Sequence, residues 1–149
     1  MQVEKRLEEL GIVLPEQVSP IATYVRWVQS GNMLYVSGTG PASDQPTGKL
    51  GADLTLEQGY AAARSTGLQI IATVKGAIGD LDRVQRVVKI LGMVNSAPDF
   101  GDQPKVINGC SDLMVEVFGE KGRHARSAVG FVALPGQISV EIEAIFEIG

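Results

Sequence analysis

Residues 124–147 read HARSAVGFVALPGQISVEIEAIFE, and this stretch decides the fold because it predicts two extended runs. The runs cover residues 127–134 and 139–147, and Pro135-Gly136 between them is typical of a tight turn, so we expect a β-hairpin. Side chains alternate between the two faces of a strand. In the second run one face is apolar and the other carries three carboxylates: Val140, Ile142, Ala144 and Phe146 against Glu141, Glu143, Ile145 and Glu147.

Six further elements are predicted upstream by apolar periodicity, in the order helix, strand, strand, helix, strand, helix: residues 3–10, 24–29, 33–37, 55–78, 84–94 and 102–119. Apolar residues at intervals of three or four give each long helix one apolar stripe. Thr55 and Gln58 have the spacing of a capping box, and Gly79 and Gly119 close the two helices. The order α-β-β-α-β-α-β-β predicts an α+β fold, a mixed sheet with two main helices packed on one face.

The other face of this sheet needs cover, because it combines apolar residues with Glu141 and Glu143. Such a face suggests burial in an oligomer around polar pockets rather than a dry core. Function often lies on loops, and the stretch 38–53, rich in glycine and proline, is predicted to be a long loop that begins beside this face.

Composition describes one ordinary globular domain over residues 1–149, with residues 1–23 as an N-terminal helical extension. Cys110 and His124 are the only cysteine and histidine, which excludes an internal disulfide and a zinc cluster. A net charge of −4 disfavours nucleic acid as a partner. The chain shows no apolar run of signal-peptide or membrane-span length, so we expect a cytoplasmic protein with no membrane partner.

Three sets of residues carry chemistry that can be read in two ways. Arg126 offers a planar fork of donors for a carboxylate, or it is an exposed arginine in a surface ion pair. Glu141 and Glu143 could hold a water molecule or share a proton, or they lie on a solvated strand face. Ser37-Gly38 lets a ligand approach the backbone, or it is a plain strand exit. Cys110, in the apolar stripe of the second long helix, is interpreted as a buried, inert thiol.

Several of these segments together resemble the RidA/YjgF family, the reactive-intermediate (enamine/imine) deaminases, many of which carry the older label endoribonuclease L-PSP. The main match is the block from His124 to Pro135 followed by Val140-Glu-Ile-Glu-Ala-Ile145, which is similar to the family signature ARSxVxxxxLP…VEIEAI. The resemblance is supported by Tyr24, by the hairpin that ends in Ser37-Gly38, and by the segments Thr47-Gly48 and Asp80-Leu-Asp82. The resemblance spans about residues 24–145.

The resemblance implies a chorismate-mutase-like fold assembled as a homotrimer, with ligand clefts between subunits. It implies hydrolysis of 2-aminoacrylate-type enamines and 2-iminopropanoate-type imines to 2-keto acids and ammonia, without a cofactor or a metal. Arg126 matches the residue that grips the substrate carboxylate, and Glu141 matches the residue that holds the attacking water. The matching pocket positions are Tyr24, Ser37, Gly38, Ser127 and Asn108.

The chain departs from the family pattern in three places. Ala128 stands where members often have cysteine or threonine, and an extension precedes Tyr24. The second long helix is longer than usual, so the family asparagine aligns with Asn108 or is replaced by Asp112. These departures indicate a longer-chain branch of the family, so two functions other than deamination stay open. One is a non-catalytic protein that binds small carboxylate metabolites. The other, an endoribonuclease, follows only from the older label.

Overall fold

The computed structural model describes residues 2–16 and 23–149, so part of the predicted N-terminal extension, residues 17–22, lies outside the described residues. The regular elements follow the predicted order, with three 3₁₀ turns at Leu81–Arg83, Gly119–Gly122 and Pro135–Gln137. The helices and strands have these bounds: α1 Gln2–Glu9, β1 Trp27–Ser30, β2 Met33–Thr39, α2 Leu56–Ile78, β3 Val84–Asn95, α3 Gln103–Phe118, β4 Ala125–Phe131 and β5 Val140–Ile148.

The five strands form one sheet in the order β1-β2-β5-β3-β4. Strand β5 is antiparallel to both β2 and β3, whereas β4 is parallel to β3. The predicted hairpin between the last two strands is therefore wrong, because β3 lies between them. Helix α3 returns β4 parallel to β3, as a strand–helix–strand unit does. Strand β5 therefore pairs with the other edge of β3, and residues 132–139 cross the end of β3 to connect β4 with β5.

Strand β1 also begins later than predicted, at Trp27 instead of Tyr24. The pairing of β1 with β2 starts at Trp27↔Val36, so Tyr24 lies before this ladder. The register of β2 with β5 becomes irregular after Val36. Strand β2 in turn extends to Thr39, beyond the predicted end at residue 37. The irregular part of β2 contains the Ser37-Gly38 pair.

Helices α2 and α3 lie side by side on one face of the sheet, as the periodicity predicts. The capping box at Thr55 and Gln58 is present, and Gly79 ends α2 with a φ of 79°. The two helices approach closely where Gly109 of α3 contacts the backbone carbonyl of Tyr60, a position with no room for a Cβ atom. The predicted apolar stripe of α3 is buried in full: Val106, Ile107, Cys110, Leu113, Met114, Val117 and Phe118.

Among the described residues no helix covers the opposite face of the sheet, and we call it the open face. The predicted alternation in β5 is confirmed, since Val140, Ile142 and Phe146 are buried toward the helices while Glu141 and Glu143 point to the open face. Four apolar side chains with the register of the open face are exposed: Val28, Tyr35, Val129 and Phe131.

Helix α1 docks at one end of the molecule. The Asp82 carboxylate accepts hydrogen bonds from the backbone N–H groups of Gln2 and Val3, at 2.7 and 2.8 Å. Leu7 is buried in the main core, and Arg6 Nε donates to the Glu116 carbonyl of α3 at 2.9 Å. Over the described ranges no helix combines the length and the apolar character needed to cross a membrane.

Candidate functional site

Arg126 is the second residue of β4, and strand alternation turns its side chain toward α3. Its Nη1 donates to Asn108 Oδ1 at 2.7 Å and to Ser111 Oγ at 3.2 Å. Asn108 and Ser111 are three residues apart, so they share one face of α3. With His124 these residues form what we call the guanidinium cluster: Arg126, Asn108, Ser111 and His124.

The guanidinium cluster lines a cavity of about 260 Å³, together with Asp112, Val115 and Arg123. Arg126 is partly buried there, and its acceptors are a neutral amide and a neutral hydroxyl. In residues 2–16 and 23–149 no carboxylate forms an ion pair with Arg126. Asp112 lines the same cavity and accepts a hydrogen bond from the Tyr60 hydroxyl at 2.7 Å. The exposed surface ion pair is therefore not the environment of this arginine.

His124 extends the guanidinium cluster through Ser111. Its Nδ1 lies 2.7 Å from the Gly122 carbonyl, which can only accept, so Nδ1 carries the proton and donates. The lone pair of Nε2 then accepts from the Ser111 hydroxyl at 2.9 Å. Burial is the main cause that lowers the pKa of His124; the Gly122 hydrogen bond opposes it, and the charge of Arg126 adds a smaller lowering effect. The imidazole is thus neutral at neutral pH.

Glu141 and Glu143 lie on the open face of β5, next to the irregular part of β2. Glu141 lies so close to Gly38 that a Cβ atom on that residue would overlap its carboxylate. Burial raises the pKa of Glu141, and the neighbouring Glu143 raises it further. We call Glu141, Glu143, Ser37 and Gly38 the carboxylate cluster. A carboxylate with a raised pKa is suited to exchange a proton with a bound water.

Ser37 ties the carboxylate cluster to the segment before β1. Its Oγ donates to the Val25 carbonyl at 2.6 Å, and its backbone N–H donates to the Arg26 carbonyl at 2.9 Å. Tyr24 directly precedes Val25 and is exposed. The structure therefore brings Tyr24 toward Ser37 and Gly38, on the side of the sheet away from β4.

The two clusters do not meet within one chain. Arg126 faces the helices and Glu141 faces the open side, and β3 separates their strands, which alone places the strands about 10 Å apart. Ser127 points to the open face and lines a different cavity, of about 350 Å³, together with Lys89 and Glu143. Each chain thus carries a cation on one face of the sheet and carboxylates on the other.

Other reactive groups are not part of either cluster. Cys110 is fully buried, as predicted, and burial raises the pKa of its thiol to about 12. The described part of the chain contains no group of three or more histidine, cysteine, aspartate or glutamate side chains that could hold a metal ion.

Ser111 and His124 are the functional candidates that the sequence analysis missed. A signal for both was present, because Ser111 follows Asn108 by one helical turn and His124 precedes Arg126 by two residues along an extended segment. What the spacing does not give is the hydrogen bond between them, which depends on how β4 docks against α3.

Comparison with known proteins places these features in a family. The family model described as "YjgF/chorismate_mutase-like, putative endoribonuclease" matches residues 4–140. Protein TCP17 of Trypanosoma cruzi is 49% identical over 151 residues, covering 99% of this chain and 94% of that protein. No activity is stated in its name.

Solved structures show the same fold at two levels of similarity. The protein Atu1372 of Agrobacterium tumefaciens, of unknown function, is 46% identical with a TM-score of 0.90, covering 99% of this chain and 92% of its own. A Shewanella oneidensis structure named an endoribonuclease is 33% identical with a TM-score of 0.94, covering 99% and 100%. More distant structures are Escherichia coli TdcF with bound serine, at 25% identity and a TM-score of 0.63 over 93% and 99%, and RidA of a Psychrobacter species, at 27% and 0.58 over 87% and 92%.

Proposed function

The chain belongs to the YjgF/chorismate mutase-like family, and we propose that it hydrolyses reactive imines of the 2-iminopropanoate type, with their enamine tautomers, to 2-keto acids and ammonia. In this proposal the reaction takes place in clefts between the subunits of a homotrimer, without a cofactor. The unpaired Cys110 fits a cytoplasmic site of action, where thiols stay reduced.

The observation that carries the proposal is the unneutralised guanidinium of Arg126 in a cavity. A partly buried cation with only neutral partners favours a bound anion, and the planar guanidinium fork matches a carboxylate by two parallel hydrogen bonds. A cavity of about 260 Å³ suits a small carboxylic acid. The serine bound to the relative TdcF is a molecule of this size and carries a carboxylate.

The chemistry needs little beyond positioning. The C2 atom of an imine is already electrophilic, so a water held by Glu141 attacks it while Glu141 accepts a water proton. Glu141 passes this proton to the imine nitrogen, which gives the carbinolamine. Glu141 then takes the hydroxyl proton and delivers it to the amino nitrogen as the C–N bond breaks, so ammonia leaves, the 2-keto acid remains, and Glu141 is again a carboxylate. Burial and Glu143 raise the pKa of Glu141, which makes it a more effective proton acceptor and donor near neutral pH than an ordinary glutamate.

The separation of the two clusters supports an assembly of several chains, and the homotrimer is the assembly that the family resemblance implies. Since Arg126 and Glu141 lie on opposite faces of one sheet, a complete site requires the guanidinium cluster of one copy and the carboxylate cluster of another. The open face supports this assembly, because exposed apolar residues beside carboxylates are typical of an interface around polar pockets. Val129 and Phe131 of β4 and Tyr35 of β2 would be covered by it.

The test is the rate of 2-iminopropanoate hydrolysis, with the imine generated in place by an amino-acid oxidase. We expect the protein to accelerate release of pyruvate, and we expect Arg126→Ala and Glu141→Gln each to lower kcat/KM by about 100-fold or more. Arg86→Ala, which removes an exposed arginine on β3, is the matched control and should retain full activity.

Two outcomes would redirect the assignment. If pyruvate binds in an Arg126-dependent manner but imine hydrolysis proceeds at the spontaneous rate, the protein binds carboxylates without turning them over. If neither occurs, the anion site itself is wrong. Endoribonuclease activity, named in the family description, is disfavoured by the net charge of −4, which repels a phosphate backbone.

A further inference from the structure

The hydrogen bonds around Ser111 form a directed chain with one unused position. Gly122 fixes the proton of His124 on Nδ1, so Nε2 must accept, and the Ser111 hydroxyl must donate to it. Ser111 Oγ also accepts from Arg126 Nη1. A hydroxyl has one proton and two lone pairs, so one lone pair remains, and no proton is available for a ligand.

Protonation of His124 would reverse one bond of this chain. With a proton on Nε2, His124 donates to Ser111 Oγ, which then accepts from both His124 and Arg126 and uses both lone pairs. The hydroxyl proton of Ser111 is released and can point into the cavity that Ser111, His124 and Arg126 line together. The charged form of His124 therefore creates a hydrogen-bond donor beside Arg126.

We propose that Ser111 and His124 are binding residues of the anion site: when a carboxylate binds Arg126, His124 takes up a proton from solvent and Ser111 turns its hydroxyl proton to the carboxylate. The proposal deepens the proposed function and rests on it, since it requires a carboxylate at Arg126. Ser111 of α3, His124 just before β4 and Arg126 of β4 then form one unit that binds the ligand, and we call it the proton-linked unit.

Electrostatics gives this coupling its sign. In the free protein, burial is the main cause that lowers the pKa of His124, and the positive charge of Arg126 lowers it further. A carboxylate at Arg126 offsets that charge, so it raises the pKa of His124. Because coupling between two binding events is reciprocal, a proton on His124 must in turn tighten carboxylate binding.

Among the charged groups near His124, Arg126 is the one whose effect on the His124 pKa a bound carboxylate changes. Asp112 of α3 is engaged by the Tyr60 hydroxyl, and Arg123 pairs with Glu120 at 3.2 Å. Lys89 of β3, whose strand position pairs with Ala125, lines the open-face cavity instead. The charged side chains of the adjoining segments are Glu116, Glu120, Lys121 and Arg123.

The single histidine makes the test direct, because its ring NMR signals need no assignment. The pKa of His124 is measured on the full-length protein by titration without ligand and with saturating pyruvate. We expect pyruvate to raise the pKa by about one unit, and the pyruvate Kd to fall by up to about tenfold as the pH drops below the pKa of the complex.

Three variants separate the causes. Ser111→Ala should still bind pyruvate, more weakly, with a smaller rise in the His124 pKa and a flatter pH dependence of Kd. Ser43→Ala, an exposed serine in the loop after β2, is the matched control and should behave as wild type. Arg126→Gln should raise the pKa of His124 in the free protein and remove its response to pyruvate.

The outcomes distinguish this inference from the function beneath it. If pyruvate binds through Arg126 but leaves the His124 pKa unchanged or lowers it, the proton-linked unit is wrong and the anion site stands. The proton-linked unit is equally wrong if Ser111→Ala matches wild type in both the pKa rise and Kd. If Arg126→Gln binds pyruvate like wild type, the anion site itself is refuted, and the proton-linked unit with it.

Discussion

Arg126 and Glu141 are positioned by very different neighbours, although each lies in a strand. Arg126 is held by two neutral side chains of α3, Asn108 and Ser111. Glu141 is accommodated by a missing side chain, since only glycine at position 38 leaves room for its carboxylate. The first arrangement fixes the direction of a donor, and the second fixes the place of a carboxylate.

Gly38→Ala should therefore damage catalysis more than stability. The added methyl group overlaps the Glu141 carboxylate, and that side chain can rotate away at small cost. In the proposed mechanism this rotation displaces the attacking water. We expect kcat for imine hydrolysis to fall by at least about tenfold, with the melting temperature within a few degrees of wild type.

Gly101→Ala is the comparison, because nothing lies within 4 Å of a Cβ atom there. It should leave both kcat and the melting temperature unchanged. A Gly38→Ala protein with wild-type kcat would show that the Glu141 carboxylate has no fixed role.

Helix α3 connects the fold to the site, since one face packs on α2 and another presents Asn108 and Ser111. The close approach of α3 to α2 depends on Gly109. A Cβ atom at this position would overlap the Tyr60 carbonyl oxygen and would lie 3.0 Å from the backbone nitrogen of Arg64. Backbone atoms cannot rotate away as a side chain can, so a larger residue here must push the two helices apart.

Replacing glycine by alanine should therefore change the free energy of unfolding in opposite directions on the two helices. Gly109→Ala is expected to lower the free energy of unfolding by about 1–3 kcal/mol because of overpacking. Gly76→Ala, at an exposed position of α2, is expected to raise it by about 0.5–1 kcal/mol because alanine favours the helix. Urea denaturation of both variants measures this, and stabilisation by Gly109→Ala would contradict the close contact between α2 and α3.

At this scale the sequence predicts elements better than it predicts their neighbours. The 3.6-residue periodicity identifies α2 and α3, and the alternation in β5 identifies its buried face, because both patterns are local. The pairing of β4 with β3 instead of β5 is not local: Pro135-Gly136 makes a turn in either case, and only the return of the chain through α3 decides which strand is adjacent.

Over the whole molecule one sheet separates the guanidinium cluster from the carboxylate cluster. The sequence predicts Arg126 and Glu141 individually, and it predicts an open face that needs cover. It does not predict the hydrogen bonds of Ser111 and His124, which depend on the docking of β4 against α3. Under the proposed function a complete site requires two chains, so we expect catalytic activity and assembly to be inseparable.

Mixing two inactive variants tests this claim most directly. Arg126→Ala and Glu141→Gln proteins are unfolded and refolded together in equal amounts, and native mass spectrometry verifies mixed trimers. Random mixing places an intact Arg126 opposite an intact Glu141 in about a quarter of the clefts. We predict that imine hydrolysis returns to about a quarter of the wild-type rate, whereas mixed trimers that remain as inactive as either parent would contradict a site shared between subunits.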